Sequence, residues 1–144
     1  MKIAVEGGDI TVSEANAIVV NLFDRVTTPG GGTGAVDKAL GGAISDLIAA
    51  GETKGKRGEM TFIHTLGKMR SKRVLVAGLG KAEKFDLDAV RSVSAQAARY
   101  LRAKGVKTVA SLAHGAGIGG LDPRSCARAV AEGTALGLYR FDKY

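Results

Sequence analysis

Ala17-Ile18-Val19-Val20-Asn21-Leu22, then Thr27-Thr28-Pro29-Gly30-Gly31-Gly32-Thr33-Gly34, then Val36, Leu40, Ile44, Leu47 and Ile48: this stretch decides the fold. The first run carries no charge and does not alternate, the pattern of a strand buried on both faces. The second is rich in Gly and holds Pro29, so it reads as a loop unsuited to the interior of a helix or strand. The last five residues are spaced 4, 4, 3 and 1 apart, which places them on one face of a helix. Gly41-Gly42 is expected to divide that helix, and Gly51 to stop it. A doubly buried strand followed by an amphipathic helix is the building unit of a sheet covered on both sides.

The same logic extends outward. Lys2 to Val5 reads as a short strand, Met60 to Leu66 as an alternating one, Arg73 to Leu79 as a second buried one, and Thr108 to Leu112 as a short one. Asp86 is placed to cap a helix whose apolar stripe is Leu87, Val90, Val93, Ala97 and Leu101, with Phe85 and Val90 as a hydrophobic staple. Gly105 is expected to end it. Asp122 and Pro123 occupy the cap and first positions of a last helix that runs to about Leu138. The order strand, strand, helix, strand, strand, helix, strand, helix predicts a three-layer α/β/α fold with a mixed, mostly parallel sheet. At 144 residues, with no repeat or linker, the chain is expected to form one domain spanning 1–144.

Composition narrows the function classes. The single cysteine, Cys126, excludes an internal disulfide, which fits a reducing, cytoplasmic setting. No apolar run reaches the ~18 residues of a membrane span, and the start of the chain lacks the apolar stretch and cleavage site of a signal peptide. The formal charge is +7, and it is unevenly placed. Lys54, Lys56, Arg57, Lys68, Arg70, Lys72 and Arg73 are opposed in their segment only by Glu59. Such a segment can attract DNA. It can equally be the solvated tips of a hairpin, since few aromatic side chains interleave to stack bases.

Residues able to carry chemistry are few. His64, His114 and Cys126 show no clustered spacing for a metal, and each His reads as a structural residue beside a strand. No Gly-x-Ser-x-Gly elbow or Cys–His pairing suggests a nucleophile. The two glycine loops, Gly30 to Gly34 and His114 to Gly120, each precede a helix, where free N–H groups could receive a phosphate. Neither is a Walker A motif. Gly115-x-Gly117-x-x-Gly120 matches Gly-x-Gly-x-x-Gly, but Thr134 to Leu138 lacks the acidic residue that would hold a ribose.

Together, AIVVNLF from Ala17, the segment PGGGTGAVDKALGGAISDLIAAGETKGKRGE, HTLG, KRVLVAGLGK and the final GLYRFDKY resemble the N-terminal domain of the leucyl aminopeptidase family. The resemblance runs from Ala17 to Tyr144. It implies a parent enzyme that is a homo-hexamer and removes N-terminal residues from peptides. It also implies two divalent metals, zinc or manganese, held by the parent's catalytic domain around an Asn-Thr-Asp-Ala-Glu-Gly-Arg motif that this chain lacks. On that reading this chain has no catalytic and no metal residues of its own. Its partners are its own catalytic domain and the other subunits; it serves assembly and shapes access to the active sites. DNA is a further partner in some members.

A more distant resemblance is to macro domains, which bind ADP-ribose. It rests on Gly8-Asp9-Ile10-Thr11, AIVVN, the Gly loop and HGAGIGGLDP, in that order. It would place Asp9 and Ile10 at the adenine end, Gly31, Gly32 and Gly34 by the distal ribose, and Gly115, Gly117 and Ile118 near the phosphates. Hydrolytic macro domains read Asn-Ala-Ala-Asn where this chain has Asn21-Leu22-Phe23-Asp24, so hydrolysis is not expected and ADP-ribose should bind weakly or not at all. Finally, Tyr139, Phe141 and Tyr144 crowd the last six positions. Their apolar area implies a covering element, so the chain is expected to be part of a longer protein, its final rings exposed or buried in a contact outside this domain.

Overall fold

The computed structural model describes residues 2–5, 8–115 and 120–138. Five strands form one sheet: β1 (Lys2–Val5), β2 (Ala17–Phe23), β3 (Met60–His64), β4 (Arg73–Gly80) and β5 (Thr108–Ser111), in the spatial order β1-β5-β2-β4-β3. The first four in that order run parallel, and β3 adds antiparallel to β4 at the edge. The helices are α1 (Gly31–Ala39), α2 (Ala43–Ala49), α3 (Leu87–Ala103) and α4 (Pro123–Leu138), with short 3-10 turns at Ile10–Val12 and Ala82–Lys84. The layered α/β/α fold with a mixed, mostly parallel sheet is thus the one the sequence predicts.

Strand periodicity sorts the core into two layers. From β2, Ala17, Val19 and Phe23 face α3 and α4, while Ile18, Val20 and Leu22 face α1 and α2. From β4, Leu75, Ala77 and Leu79 join the first layer, and Val74 and Val76 the second. Both strands are central, so both read as continuous apolar runs. β3 pairs on one side only; Met60, Thr61, Phe62 and Ile63 are half-buried and His64 is exposed.

Three sequence expectations are corrected in detail. The Gly loop does not end before the helix: α1 begins at Gly31, so Gly31, Gly32 and Gly34 form its first turn. Packing overrides helix propensity here. A Cβ at Gly32 would lie 2.6 Å from the Leu112 side chain, and one at Gly34 would lie 2.7 Å from the Pro29 carbonyl oxygen. The strand expected over Met60 to Leu66 stops at His64, because Thr65 turns back by donating its hydroxyl to the Ser71 carbonyl (2.7 Å). Leu66 then stands at the hairpin tip with a φ of 53° and 87% exposure. The strand expected over Thr108 to Leu112 ends at Ser111.

Other local expectations hold. Gly41 and Gly42 divide the helix with φ values of 67° and 88°. Gly42 has no side chain to cap α2, and Asp37 on α1 supplies the cap: its carboxylate accepts from Ser45 N–H (2.9 Å) and the Ser45 hydroxyl (2.5 Å). Asp86 caps α3 through Ala89 N–H (2.8 Å), and Phe85 and Val90 are buried in one core layer. Asp122 accepts from Ser125 N–H (3.0 Å) at the start of α4. Tyr139, Phe141 and Tyr144 lie outside the described residues.

Candidate functional site

Crevices in α/β sheets open at the carboxyl ends of the strands, and here Thr33 of the first glycine loop and His114 at the head of the second both meet Asn21. Asn21, the one polar residue of β2, is the hub. Its N–H donates to Thr33 Oγ1 (3.2 Å), and the Thr33 hydroxyl donates to the Asn21 carbonyl (2.7 Å). These bonds tie the end of β2 to the first turn of α1. The Asn21 side-chain amide lies 3.1 Å from His114 Nδ1, and Ser111 Oγ lies 3.4 Å from His114 Nε2. An amide nitrogen only donates, so Nδ1 accepts and the ring proton sits on Nε2, facing Ser111. The Ser111 hydroxyl donates onward to the Leu112 carbonyl (2.9 Å). His114 is buried, and desolvation lowers its pKa to about 4. A neutral imidazole with both nitrogens engaged joins β2, β5 and the loop; it is not poised as a base. His64, by contrast, is exposed and rests edge-on against Phe62.

The residues singled out by the macro-domain resemblance are placed as follows. Asp9 is exposed, caps the turn Ile10–Val12 through Thr11 N–H (3.0 Å), and has its pKa lowered by the bonds from Thr11. Ile10 is buried among Val36, Leu40 and Ile44. Gly31 borders a cleft of about 320 Å³ shared with Asn21, Phe23 and Pro29. Gly32 and Gly34 instead serve close packing. Gly115 is buried with a φ of 85°, and a Cβ there would lie 2.4 Å from the Phe85 ring. Gly117 and Ile118 lie outside the described residues. Phe23 is buried edge-to-face on Phe85, with centroids 5.1 Å apart. The two rings fill space beside Gly115.

The basic segment is split by the fold. Lys68, Arg70, Lys72 and Arg73 lie at the β3–β4 hairpin, where Arg73 covers the Phe62 ring (5.7 Å). Lys54, Lys56 and Arg57 lie at the opposite end of β4, held by Gly80 N–H donating to the Gly55 carbonyl (2.8 Å). An eight-residue strand separates the clusters by roughly 23 Å. Sequence reading missed Lys81 and Lys84, which join Lys56 and Arg57 around one cleft. The segment before β3 lies beside the end of β4 through antiparallel pairing, and proximity of that kind leaves no trace in local spacing.

A two-metal centre does not fit these residues. No three His, Cys, Asp or Glu side chains converge among the described residues. Cys126 is buried, and its thiol pKa is raised by burial and by the Asp122 carboxylate. No helix among the described residues is long and apolar enough to cross a membrane.

Residues 19–144 match the model of the cytosol aminopeptidase family, N-terminal domain. The chain belongs to that family. A probable cytosol aminopeptidase of Alkaliphilus metalliredigens is 34% identical over 144 residues, which is all of this chain and 29% of that protein. The chain thus spans less than a third of the length of such cytosol aminopeptidases. A mutant tomato leucine aminopeptidase superposes with a TM-score of 0.74 at 17% identity, over 97% of this chain and 28% of that one. A Trypanosoma brucei macrodomain solved with ADP-ribose gives 0.78 at 20% identity, over 94% and 57%. At such identities these structures bear on the fold alone, and both share it with the cytosol aminopeptidase domain.

Proposed function

We propose that this chain is the non-catalytic N-terminal domain of a cytoplasmic, metal-dependent aminopeptidase, and that it acts in assembly and in shaping access to the active sites. The observation that carries this reading is the alignment of the whole chain with 29% of a cytosol aminopeptidase, joined to the family's N-terminal-domain match. The polar groups at the strand ends support it, because Asn21, Thr33, Ser111 and His114 bond to one another. The reading assigns peptide hydrolysis, and two zinc or manganese ions, to the rest of the parent. It makes the parent a homo-hexamer whose subunits meet partly through this domain.

The test is sedimentation of the parent enzyme with and without residues 1–144. Loss of the hexameric mass, with cleavage of leucyl amides impaired, is expected on removal. Unchanged mass and unchanged selectivity for long over short peptides would refute the assembly role.

A further inference from the structure

We propose that the cleft at the carboxyl end of β4 is a binding site for a compact phosphate anion, with inorganic pyrophosphate as its simplest representative. The cleft holds about 260 Å³ and gathers Lys56, Arg57, Lys81 and Lys84 against a single carboxylate, Asp24. None of the four cations is in an ion pair among the described residues. They come from two segments that the fold presses together. The loop carrying Lys56 and Arg57 is locked onto β4: Gly58 N–H donates to the Gly78 carbonyl (3.1 Å), and Gly78 N–H donates to the Glu59 carbonyl (2.7 Å). Gly78 permits this, since a Cβ there would lie 1.9 Å from the Lys56 carbonyl oxygen.

Glu59 is the only acid of the basic segment, and its carboxylate accepts from Lys54 N–H (2.7 Å) and Gly55 N–H (2.9 Å). It is turned to the loop backbone. On the other side, Lys81 precedes and Lys84 ends the 3-10 turn that leaves β4, while Glu83 between them does not line the cleft. Four cations around one concave site concentrate positive potential that each would lack alone. The lining offers Leu79 but no aromatic ring to stack a base, so the phosphate itself is what is recognised. The distant hairpin cluster gives no continuous stripe with it, which favours a compact anion over a duplex.

Calorimetry of the 144-residue chain with pyrophosphate at low salt should show saturable one-site binding. Affinity should fall at least tenfold in Lys81→Glu/Lys84→Glu and remain unchanged in Lys68→Glu/Arg70→Glu at the far hairpin. All four side chains are exposed, and circular dichroism melting confirms that each variant folds. Absence of saturation overturns the proposal. So does equal weakening by both variants, which marks diffuse net charge. Duplex DNA binding that needs both clusters and exceeds pyrophosphate in affinity would assign the surface to nucleic acid instead.

Discussion

At the residue scale, His114 gives the domain a calculable response to acid. Its imidazole titrates near pH 6.5 when unfolded and near pH 4 when folded. Between those values the unfolded state binds more protons, so stability is full above pH 6.5 and is lost as pH falls toward 4, by about 1.4 kcal/mol per unit. Urea unfolding at pH 7 and pH 5 should therefore show a loss of about 2 kcal/mol that His114→Gln does not share. Equal losses in both proteins would mean that another group titrates. Asp37 makes the second residue-level case. It caps a helix to which it does not belong, so Asp37→Ala should cost about 1–2 kcal/mol. Asp37→Asn should recover part of that, since it retains one acceptor; a neutral Asp37→Ala in the same unfolding assay would show the bonds to Ser45 contribute nothing.

At the scale of elements, α3 and α4 meet backbone to backbone. Gly133 and Gly137 face α3 so closely that a Cβ would lie 2.2 Å from the Arg91 carbonyl oxygen and 2.5 Å from that of Ala95. Helix propensity alone says Gly133→Ala stabilises by about 1 kcal/mol. Overpacking against a backbone atom that cannot swing aside costs typically 1–3 kcal/mol or more, and we expect it to win. The melting temperature of Gly133→Ala should drop by several degrees; a rise would show that the helices separate freely. These elements also show what a sequence can reveal. The buried runs of β2 and β4 and the stripe of α3 were legible because burial on both faces and 3.6-residue periodicity are local signals. The start of α1 was not, because the partners that reward glycine there, Leu112 and Pro29, come from packing. Thr65 likewise ends β3 through a bond that no alternation pattern encodes.

At the scale of the whole molecule, the candidate site was legible only in part, for the same reason. The two glycine loops stood out, but the bonds joining Asn21, Thr33, Ser111 and His114 span β2, α1 and β5, and Lys81 and Lys56 share a cleft only because the segment before β3 pairs with the end of β4. The fold also determines what the acids can do. Asp9, Asp37, Glu59, Asp86 and Asp122 each accept a backbone N–H at a turn or helix start. Asp88 and Glu132 hold Arg91 between α3 and α4. Each of these carboxylates is fixed in place by the turn, cap or ion pair it makes, and no three His, Cys, Asp or Glu side chains converge among the described residues. We therefore expect the purified 144-residue chain to hydrolyse leucyl amides no faster than buffer, with either zinc or manganese added. The assay must separate the chain from contaminating peptidases, so activity is followed across successive columns. Metal-dependent turnover that coelutes with the chain and disappears in a variant of one of its acids would show that these carboxylates are free for catalysis after all.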